Sequence, residues 1–206
     1  MTAEQTLTNL SALRCSPLDH LTGVFARHDV LGARGVTLRE IAFATMIGIR
    51  AVPGTPAHQS LSAATGVGLP DGAGKVAGSA DGTAVLWQGP DDFLLVAPEG
   101  SEPMAGLLEA LGGNPGSVVD LSANRTILRL SGPSARLVLE KGCPADLHPR
   151  SFAAGTAVTT TLGPVPVLLW KVEAETWYVL PRASFADYTA RWLLDAMEEF
   201  ASPEVR

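Results

Sequence analysis

The chain has 206 residues, of which 46% are hydrophobic and 17% are charged, and its net charge is −6 at pH 7. This apolar content is sufficient for one large or two small folded domains and excludes a wholly disordered chain. Because the sequence has no cluster of Lys and Arg, we expect no binding to nucleic acid and none to an acidic membrane surface.

The longest apolar runs are typical of strands and not of a membrane-spanning helix. Residues 93–97 and 167–170 are far shorter than the roughly 20 residues that a bilayer requires. The polar N-terminus lacks the hydrophobic segment of a signal peptide. The two cysteines have different surroundings, so no disulfide framework is indicated. We therefore expect a cytoplasmic protein with reduced thiols.

The first elements in chain order are an arm and one or two strands. Residues 1–35 have weak periodicity and predict an N-terminal arm that is partly ordered by a partner. The β-branched stretch 35–52 predicts one or two strands. Residues 46–66 continue as strand, loop and helix, with a glycine at the end of the helix.

Residues 83–113 predict a strand, a turn, a strand and a helix. The turn is marked by "GPD" at 89–91. Ser101 is predicted to cap the helix, and "GG" at 112–113 to end it. Four apolar side chains recur at helical spacing and predict one buried face: Met104, Leu107, Leu108 and Leu111.

The same order of elements returns in the second half of the chain. Residues 126–142 predict strand and helix, with Pro133 at the first helical position and Gly142 just past the end. Residues 165–200 predict two strands and a last helix, which Ser184 and Asp187 would begin as a capping box. Its predicted apolar stripe consists of Phe185, Tyr188, Trp192, Ala196 and Phe200.

These parallels predict an α+β fold made of two β-α-β-β-α repeats that pack together. The predicted boundaries are an N-terminal arm at 1–35, a first repeat at 36–113, a second repeat at 114–200 and a tail at 201–206. The two halves, each a sheet covered by two amphipathic helices, would pack face to face or sheet to sheet into one body, joined by "GGNPGSVVD" at 112–120.

The motifs "CSPLDHL" and "CPADLHP" each separate a cysteine from a histidine by four residues. Cys15, His20, Cys143 and His148 have the right types and number for a zinc site, but the spacing is at its usual limit and each motif contains a proline. A nucleophilic Cys143 is disfavoured because the negative end of a helix dipole raises a thiol pKa. We interpret the second motif as a loop that leaves a helix, with Leu147 in the core.

Two further motifs are interpreted as turns and connectors. The glycine-rich stretch 66–74 follows a helix and lacks the lysine of a phosphate-binding loop, so we expect a connector. Asp91 and Asp92 could bind a divalent cation, but aspartate is favoured in hairpin turns for its local hydrogen bonds.

Aromatic and charged side chains leave alternatives open. The four tryptophans at 87, 170, 177 and 192 could line a flat cofactor, although core packing is the expectation for three of them. Asp120 and Arg125 flank a turn in which Asn124 could adopt a positive φ. The two charged residues could form a buried pair, or Arg125 could hold a substrate carboxylate.

The stretches "VLWQGPDDFLLVAP", "VDLSANRTILRLSGPSARLVLEKGCPADLHPRSF" and "LGPVPVLLWKVEAETWYVLPRASFADYTARWLLDA" resemble the gamma subunit of bacterial heterotetrameric sarcosine oxidase. The likeness covers roughly residues 35–200. More distantly, the "DLS…GPSA" stretch is similar to glycine-cleavage T-proteins, which bind tetrahydrofolate. This second likeness supports the α+β repeat.

The resemblance implies a complex with alpha, beta and delta subunits. In that family the alpha subunit binds NAD and has a folate-handling domain, the beta subunit carries FAD and covalent FMN, and the delta subunit binds zinc. The complex converts sarcosine, oxygen and tetrahydrofolate to glycine, hydrogen peroxide and 5,10-methylenetetrahydrofolate. No cofactor is implied for the gamma subunit.

The chain departs from the T-protein pattern at two places. Ala123 and Asn124 replace the histidine that follows DLS in T-proteins, and "LGPVPVLLW" at 162–170 offers no acid where T-proteins carry one. We therefore predict a structural subunit with no catalytic, cofactor-binding or metal-binding residues. The alternatives are a stand-alone tetrahydrofolate- or flavin-binding protein that uses Asp120, Asn124 and Arg125, and a small-molecule module with a pocket lined by Trp87 and Trp170.

Overall fold

A computed structural model describes residues 13–202. The described residues form ten strands and five α-helices. The strands are β1 Thr37–Ile41, β2 Thr45–Arg50, β3 Val76–Gly78, β4 Ala84–Gly89, β5 Asp92–Ala97, β6 Ser117–Asp120, β7 Ile127–Ser131, β8 Thr156–Leu162, β9 Val165–Glu173 and β10 Thr176–Pro181. The helices are α1 Thr22–Arg27, α2 Pro56–Ala64, α3 Met104–Leu111, α4 Ala135–Glu140 and α5 Ala186–Ala201.

The strands form two five-stranded antiparallel sheets. One sheet has the order β3-β4-β5-β2-β6 and the other has the order β1-β7-β10-β9-β8. Their inner faces share one apolar cluster, to which Met46, Leu86 and Leu94 of the first sheet and Leu168 and Leu180 of the second contribute. Each sheet is apolar on both of its faces. The inner faces therefore pack against each other, which removes their apolar surface from water.

Helices cover both outer faces. A second apolar cluster joins β2, β4 and β5 to Leu61 of α2 and Leu107 of α3. A third and larger cluster joins the other sheet to α1, α4 and α5, through residues such as Phe25, Val138 and Leu193. The result is four layers in the order helix, sheet, sheet, helix.

The two sheets repeat the same strand order, which confirms two packed α+β repeats. The order β3-β4-β5-β2 in one sheet matches β8-β9-β10-β7 in the other, and each sheet has one further edge strand. That edge strand comes from the opposite half of the chain, since β1 pairs with β7 and β6 pairs with β2. The halves therefore exchange their leading strands, and the boundaries at 36–113 and 114–200 stay a prediction.

The segment before β1 differs from the predicted arm in the part that the structure describes. Leu18, Leu21 and Phe25 are each no more than 2% exposed and belong to the cluster beneath α5. A 3₁₀ turn at Asp19–Leu21 leads directly into α1. This part packs as one body with the second sheet, because its apolar side chains fill the gap beside α5. Residues 1–12 and the tail at 203–206 lie outside the described residues.

The predicted helix starts are partly wrong. Helix α3 begins at Met104 without a side-chain cap, so Ser101 does not cap it. Helix α5 grows out of a 3₁₀ turn at Ala183–Phe185 and likewise has no side-chain cap, so Ser184 and Asp187 form no capping box. Helix α4 begins at Ala135, two residues beyond Pro133, although Gly142 does follow its C-cap as predicted.

Two predicted apolar stripes are also corrected. Leu108 of α3 is 47% exposed, whereas its neighbour Leu107 is buried. At the start of α5, Phe185 and Tyr188 are exposed. The face of α5 that packs on the sheet consists instead of Ala186, Thr189, Ala190, Leu193, Leu194, Ala196, Met197 and Phe200. Within the described residues, no helix is long and apolar enough to span a membrane.

Candidate functional site

A cavity of 310 Å³ lies beside the turns that lead into β2 and β7. Its wall is formed by three parts of the chain: the segment before the first 3₁₀ turn, the β1–β2 turn and the β6–β7 turn. The lining residues are Arg14, Cys15, Pro17, Phe43, Ser122, Ala123, Arg125 and Thr126. Since β1 and β6 are the exchanged strands, each of these two turns carries the chain from one sheet to the other.

The β6–β7 turn is held by Asp120 and Ser122. The carboxylate of Asp120 accepts hydrogen bonds from the backbone N–H of Ser122 at 2.9 Å and from its hydroxyl at 2.6 Å. These bonds lower the pKa of Asp120. The Ser122 hydroxyl oxygen also accepts from the backbone N–H of Met46, which fastens the turn to β2. Asn124 does not have a positive φ, contrary to the prediction.

Arg125 is not paired with Asp120. Its Nη1 donates to the backbone carbonyl of Leu180 at 2.9 Å, and the residue is half-buried. Burial lowers the pKa of Arg125, and the nearby positive charge of Arg182 lowers it further. Among the described residues, no carboxylate forms an ion pair with Arg125. One wall of the cavity therefore carries a partly desolvated cation.

The same cavity is lined by a strained aromatic residue that sequence analysis missed. Phe43 has a φ of 57°, and no other non-glycine residue among those described has a positive φ. A bulky residue in this conformation is costly and is found where the surroundings impose it. The guanidinium of Arg14 lies 4.2 Å from the centre of the Phe43 ring and forms an exposed ion pair with Glu99. Nothing in the stretch "EIAFAT" signals this turn.

Below the cavity, a half-buried carboxylate accepts hydrogen bonds from two hydroxyl groups. Glu40 of β1 accepts hydrogen bonds from Ser16 and from Thr126, the latter at 2.6 Å. Thr126 is 3% exposed. These bonds tie the segment before α1, the exchanged strand β1 and the start of β7 together, so this acid has a structural role.

An exposed aromatic surface continues from the β6–β7 turn. The backbone N–H of Ala183 donates to the carbonyl of Asn124 at 2.8 Å, and Arg125 and Arg182 form an isolated β-bridge. The 3₁₀ turn that follows places Phe185, 45% exposed, and then Tyr188, 49% exposed, at the start of α5.

The four cysteine and histidine residues of the two motifs do not form a cluster. His20 forms a hydrogen bond with Asp187 at 2.7 Å, and His148 accepts from the backbone N–H of Arg150. Cys15 is exposed at the cavity, whereas Cys143 is buried 3.8 Å from the Thr160 hydroxyl. No group of three or more potential metal ligands occurs among residues 13–202.

The loop interpretation of the second motif agrees with the structure. Leu147 is 1% exposed and belongs to the cluster between the second sheet and its helices. Asp146 accepts from the backbone N–H of His148 and shapes the loop.

The two other polar motifs are also turns and connectors. Asp92 begins β5 and forms an ion pair with Arg50 at 3.3 Å, while the carbonyl of Asp91 accepts from the N–H of Ala51. The glycine-rich stretch 66–74 opens no helix. Its start is fixed by the hydroxyl of Thr65, which accepts from the N–H of Gly68 at 2.9 Å.

Trp87 and Trp170 do not line a common pocket. Trp87 packs on the helix side of its sheet, whereas Trp170 lies between the sheets. Side chains point alternately to the two faces of a sheet along a strand. The "LW" pairs of β4 and β9 lie at positions that differ by one residue along their strands, so the two tryptophans point to opposite faces. Trp170 is 2% exposed and lines two cavities, of 230 Å³ and 200 Å³, at the rim of the sheet interface.

Comparisons with known proteins give one consistent family. The sequence profile described as "Sarcosine oxidase, gamma subunit family" matches residues 51–199. The chain is 58% identical over 203 residues to a sarcosine oxidase subunit gamma from Arthrobacter sp., covering 98% of this chain and 99% of that protein. It is 56% identical to the subunit gamma from Corynebacterium sp. (strain P-1), with the same coverage.

Two solved structures have a similar fold. A chain of the heterotetrameric sarcosine oxidase from Corynebacterium sp. U-96, in complex with pyrrole 2-carboxylate, superposes with a TM-score of 0.93 at 56% identity, covering 94% of this chain and 100% of that one. The glycine cleavage aminomethyltransferase T from Bartonella henselae has a TM-score of 0.62 at 19% identity, covering 88% of this chain and 57% of that one. At this identity the second likeness shows a shared fold alone.

Proposed function

Because the chain belongs to the sarcosine oxidase gamma-subunit family, we propose that it is a non-catalytic structural subunit of a heterotetrameric sarcosine oxidase. The complex would oxidatively demethylate sarcosine to glycine and produce hydrogen peroxide and 5,10-methylenetetrahydrofolate. The partners would be the alpha, beta and delta subunits, which would hold FAD, FMN, NAD, zinc and tetrahydrofolate. This chain would bind none of these cofactors itself.

The observation that carries the proposal is the full-length structural match to one chain of the solved heterotetramer. A subunit that occupies the same position would contribute buried interface area, and obligate interfaces run to roughly 2,000 Å² or more.

The chemistry of the cavity around Arg125 supports a non-catalytic role. Oxidation of an N-methyl amine passes through a positively charged iminium, which catalysis would stabilise with a carboxylate or would deprotonate with a base. The residues that line this cavity include two guanidinium groups and neither a carboxylate nor an imidazole. A cationic intermediate would be repelled there. Asp120 is engaged by Ser122, and Glu40 by two hydroxyl groups.

Co-expression tests this proposal. We expect the tagged chain to co-purify in equal amounts with the three other subunits, and the complex to form hydrogen peroxide from sarcosine. The chain purified alone should form none. A chain that turns over sarcosine by itself, or that does not associate with the other subunits, would contradict the proposal.

The same preparation tests a stand-alone binding protein. Titration of the isolated chain with tetrahydrofolate or with FMN, followed by calorimetry, should give no saturable binding at micromolar concentration. Saturable binding that Arg125→Met abolishes would favour the alternative.

A further inference from the structure

We propose that the cavity at Arg125 receives an acidic side chain of a companion subunit, with Phe185 and Tyr188 packing beside it. We call Arg14, Arg125, Arg182, Phe185 and Tyr188 the arginine–aromatic surface. This inference rests on the proposed function, because it requires that the chain assembles with other subunits.

Two of the three arginines of this surface lack an opposite charge within the described residues, whereas Arg14 pairs with Glu99. Arg125 is half-buried, donates to one backbone carbonyl and lies near Arg182, which is exposed. Neither arginine forms an ion pair with a described residue. A partly desolvated cation beside a second positive charge is unfavourable unless an opposite charge arrives.

The guanidinium group of Arg125 still has donors to offer. It has five N–H donors in a planar fork, of which the Leu180 carbonyl takes one. Such a fork suits a carboxylate, which can accept two parallel hydrogen bonds. The hydroxyl of Ser122 lines the same cavity but is engaged with Asp120. The carboxylate would therefore be held by the arginines.

The neighbouring aromatic residues indicate a protein side chain rather than a free metabolite. Phe185 follows Arg182 by three residues within one 3₁₀ turn, and its N–H donates to the Arg182 carbonyl at 2.9 Å. Phe185 and Tyr188 expose nearly half of their surface outside the cavity and cannot enclose a small ligand within it. Arginine, tyrosine and phenylalanine are the residues that protein interfaces concentrate at their centres. An acidic side chain on a partner loop would pair with the arginines, and the loop around it would pack on the two exposed aromatic rings.

Reconstitution with the alpha, beta and delta subunits tests this inference. We expect Arg125→Met to raise the dissociation constant of the gamma chain about 10-fold or more, and Arg182→Met to raise it about 3-fold. Both variants should also show a weaker dependence of the dissociation constant on ionic strength, because a charge pair is lost. Phe185→Ser should weaken assembly without changing that dependence. Arg150→Met, at an exposed arginine in the loop after α4, should bind within about 2-fold of the unchanged chain.

The outcomes separate the inference from the proposed function. Unchanged dissociation constants for Arg125→Met and Arg182→Met overturn the inference, while assembly of the unchanged chain leaves the proposed function standing. If the unchanged chain does not assemble, both fail. Because Arg125 holds the Leu180 carbonyl, thermal unfolding of each variant is measured first. Arg182 forms no side-chain hydrogen bond within residues 13–202, so Arg182→Met removes a charge and keeps the test valid if Arg125→Met does not fold.

One acid of this chain is a rival occupant. Glu4 is the only acidic residue among residues 1–12, which lie outside the described residues. If Glu4→Gln lowers the stability of the isolated chain as much as Arg125→Met does, and neither affects assembly, the acid comes from this chain and the inference is overturned. Unchanged stability of Glu4→Gln supports a partner's acid.

Discussion

The indole ring of Trp192 lies directly against the backbone of Gly142. A Cβ atom at Gly142 would stand 2.6 Å from Cζ2 and 2.8 Å from Cη2 of that ring, and 3.1 Å from the backbone nitrogen of Gly163. The carbonyl of Gly142 also accepts a hydrogen bond from that nitrogen at 2.9 Å. The end of α4, the β8–β9 turn and α5 therefore meet at a position where even a single Cβ atom is crowded.

Gly142→Ala is expected to destabilise the protein by about 1–3 kcal/mol, because a rigid ring and a backbone atom must move to admit one methyl group. Urea unfolding of the chain, followed by circular dichroism, measures this change. Gly113→Ala is the matched control, since a Cβ at that exposed glycine would meet nothing within 4 Å. Equal stability of the two variants would contradict the prediction.

Gly106→Ala is expected to stabilise the protein by about 0.5–1 kcal/mol. Gly106 is exposed in the interior of α3, and a Cβ there would meet nothing within 4 Å. Alanine lowers the conformational entropy of the unfolded chain and favours the helix. The midpoint of thermal unfolding should rise by a few degrees. A fall in the midpoint would show that the glycine has a packing role.

Ser122→Ala is expected to cost about 1–2 kcal/mol, because the hydroxyl links Asp120 to the backbone of Met46. Asp120 has a lowered pKa in the folded protein, so its contribution to stability is present above the unfolded value and is lost as the pH falls through the folded value.

In the variant the pKa of Asp120 should move up toward its ordinary value, and the loss of stability between neutral and acidic pH should shrink. Carboxyl NMR titration checks the first expectation and unfolding at several pH values checks the second. Ser184→Ala, whose exposed hydroxyl forms no hydrogen bond among the described residues, should leave both measurements unchanged. An unchanged pKa of Asp120 in Ser122→Ala would disprove the assigned cause.

Lys171 is expected to make stability depend on pH in the alkaline range. It is 3% exposed, its Nζ donates to the carbonyl of Phe152 at 2.9 Å, and it lies 5.1 Å from the centre of a Trp177 ring. Burial lowers the pKa of Lys171, with a smaller contribution from Arg136. Because the folded pKa lies below the unfolded value, the unfolded chain binds more protons between the two.

The contribution of Lys171 to stability should therefore increase as the pH rises through the lowered pKa toward 10.5. In Lys171→Met this increase should disappear, as measured by the difference in unfolding free energy from the unchanged chain across that range. Lys75→Met, at an exposed lysine, is the control. A difference that stays constant with pH would contradict a desolvated ammonium at Lys171.

Local patterns predicted the elements well, but not which side chains they bury. The apolar runs at 93–97 and 167–170 do form strands, and the turn at 89–91 joins β4 to β5. The stripe that includes Phe185 and Tyr188 failed because Phe185 lies in the 3₁₀ turn and Tyr188 lies on the side of the regular helix opposite the buried Ala186, Ala190 and Leu193. The sequence has apolar residues on both sides of this helix, and packing on the sheet decides which side is buried.

The candidate site was predicted in part. The β6–β7 turn and the importance of Arg125 could be inferred from charged residues around a turn. The sequence could not predict that Asp120 and Arg125 form no pair. Asp120 accepts a hydrogen bond from the backbone of its own turn, and Arg125 donates to the carbonyl of Leu180, 55 residues away in sequence. Phe43 gave no sequence signal, since its positive φ is imposed by packing and not by a residue that favours it.

By itself, the sequence determined most of the strands and helices, their duplication and the family, but it did not predict β3, β6 or β8. These depend on side-chain alternation, helical spacing and short motifs, which act over a few residues. Only the tertiary structure decided that β1 and β6 exchange between the sheets and that Arg125 and Phe43 come to line one cavity. Strand pairing across the chain depends on burying complementary faces, and no local pattern encodes which distant edge a strand will join.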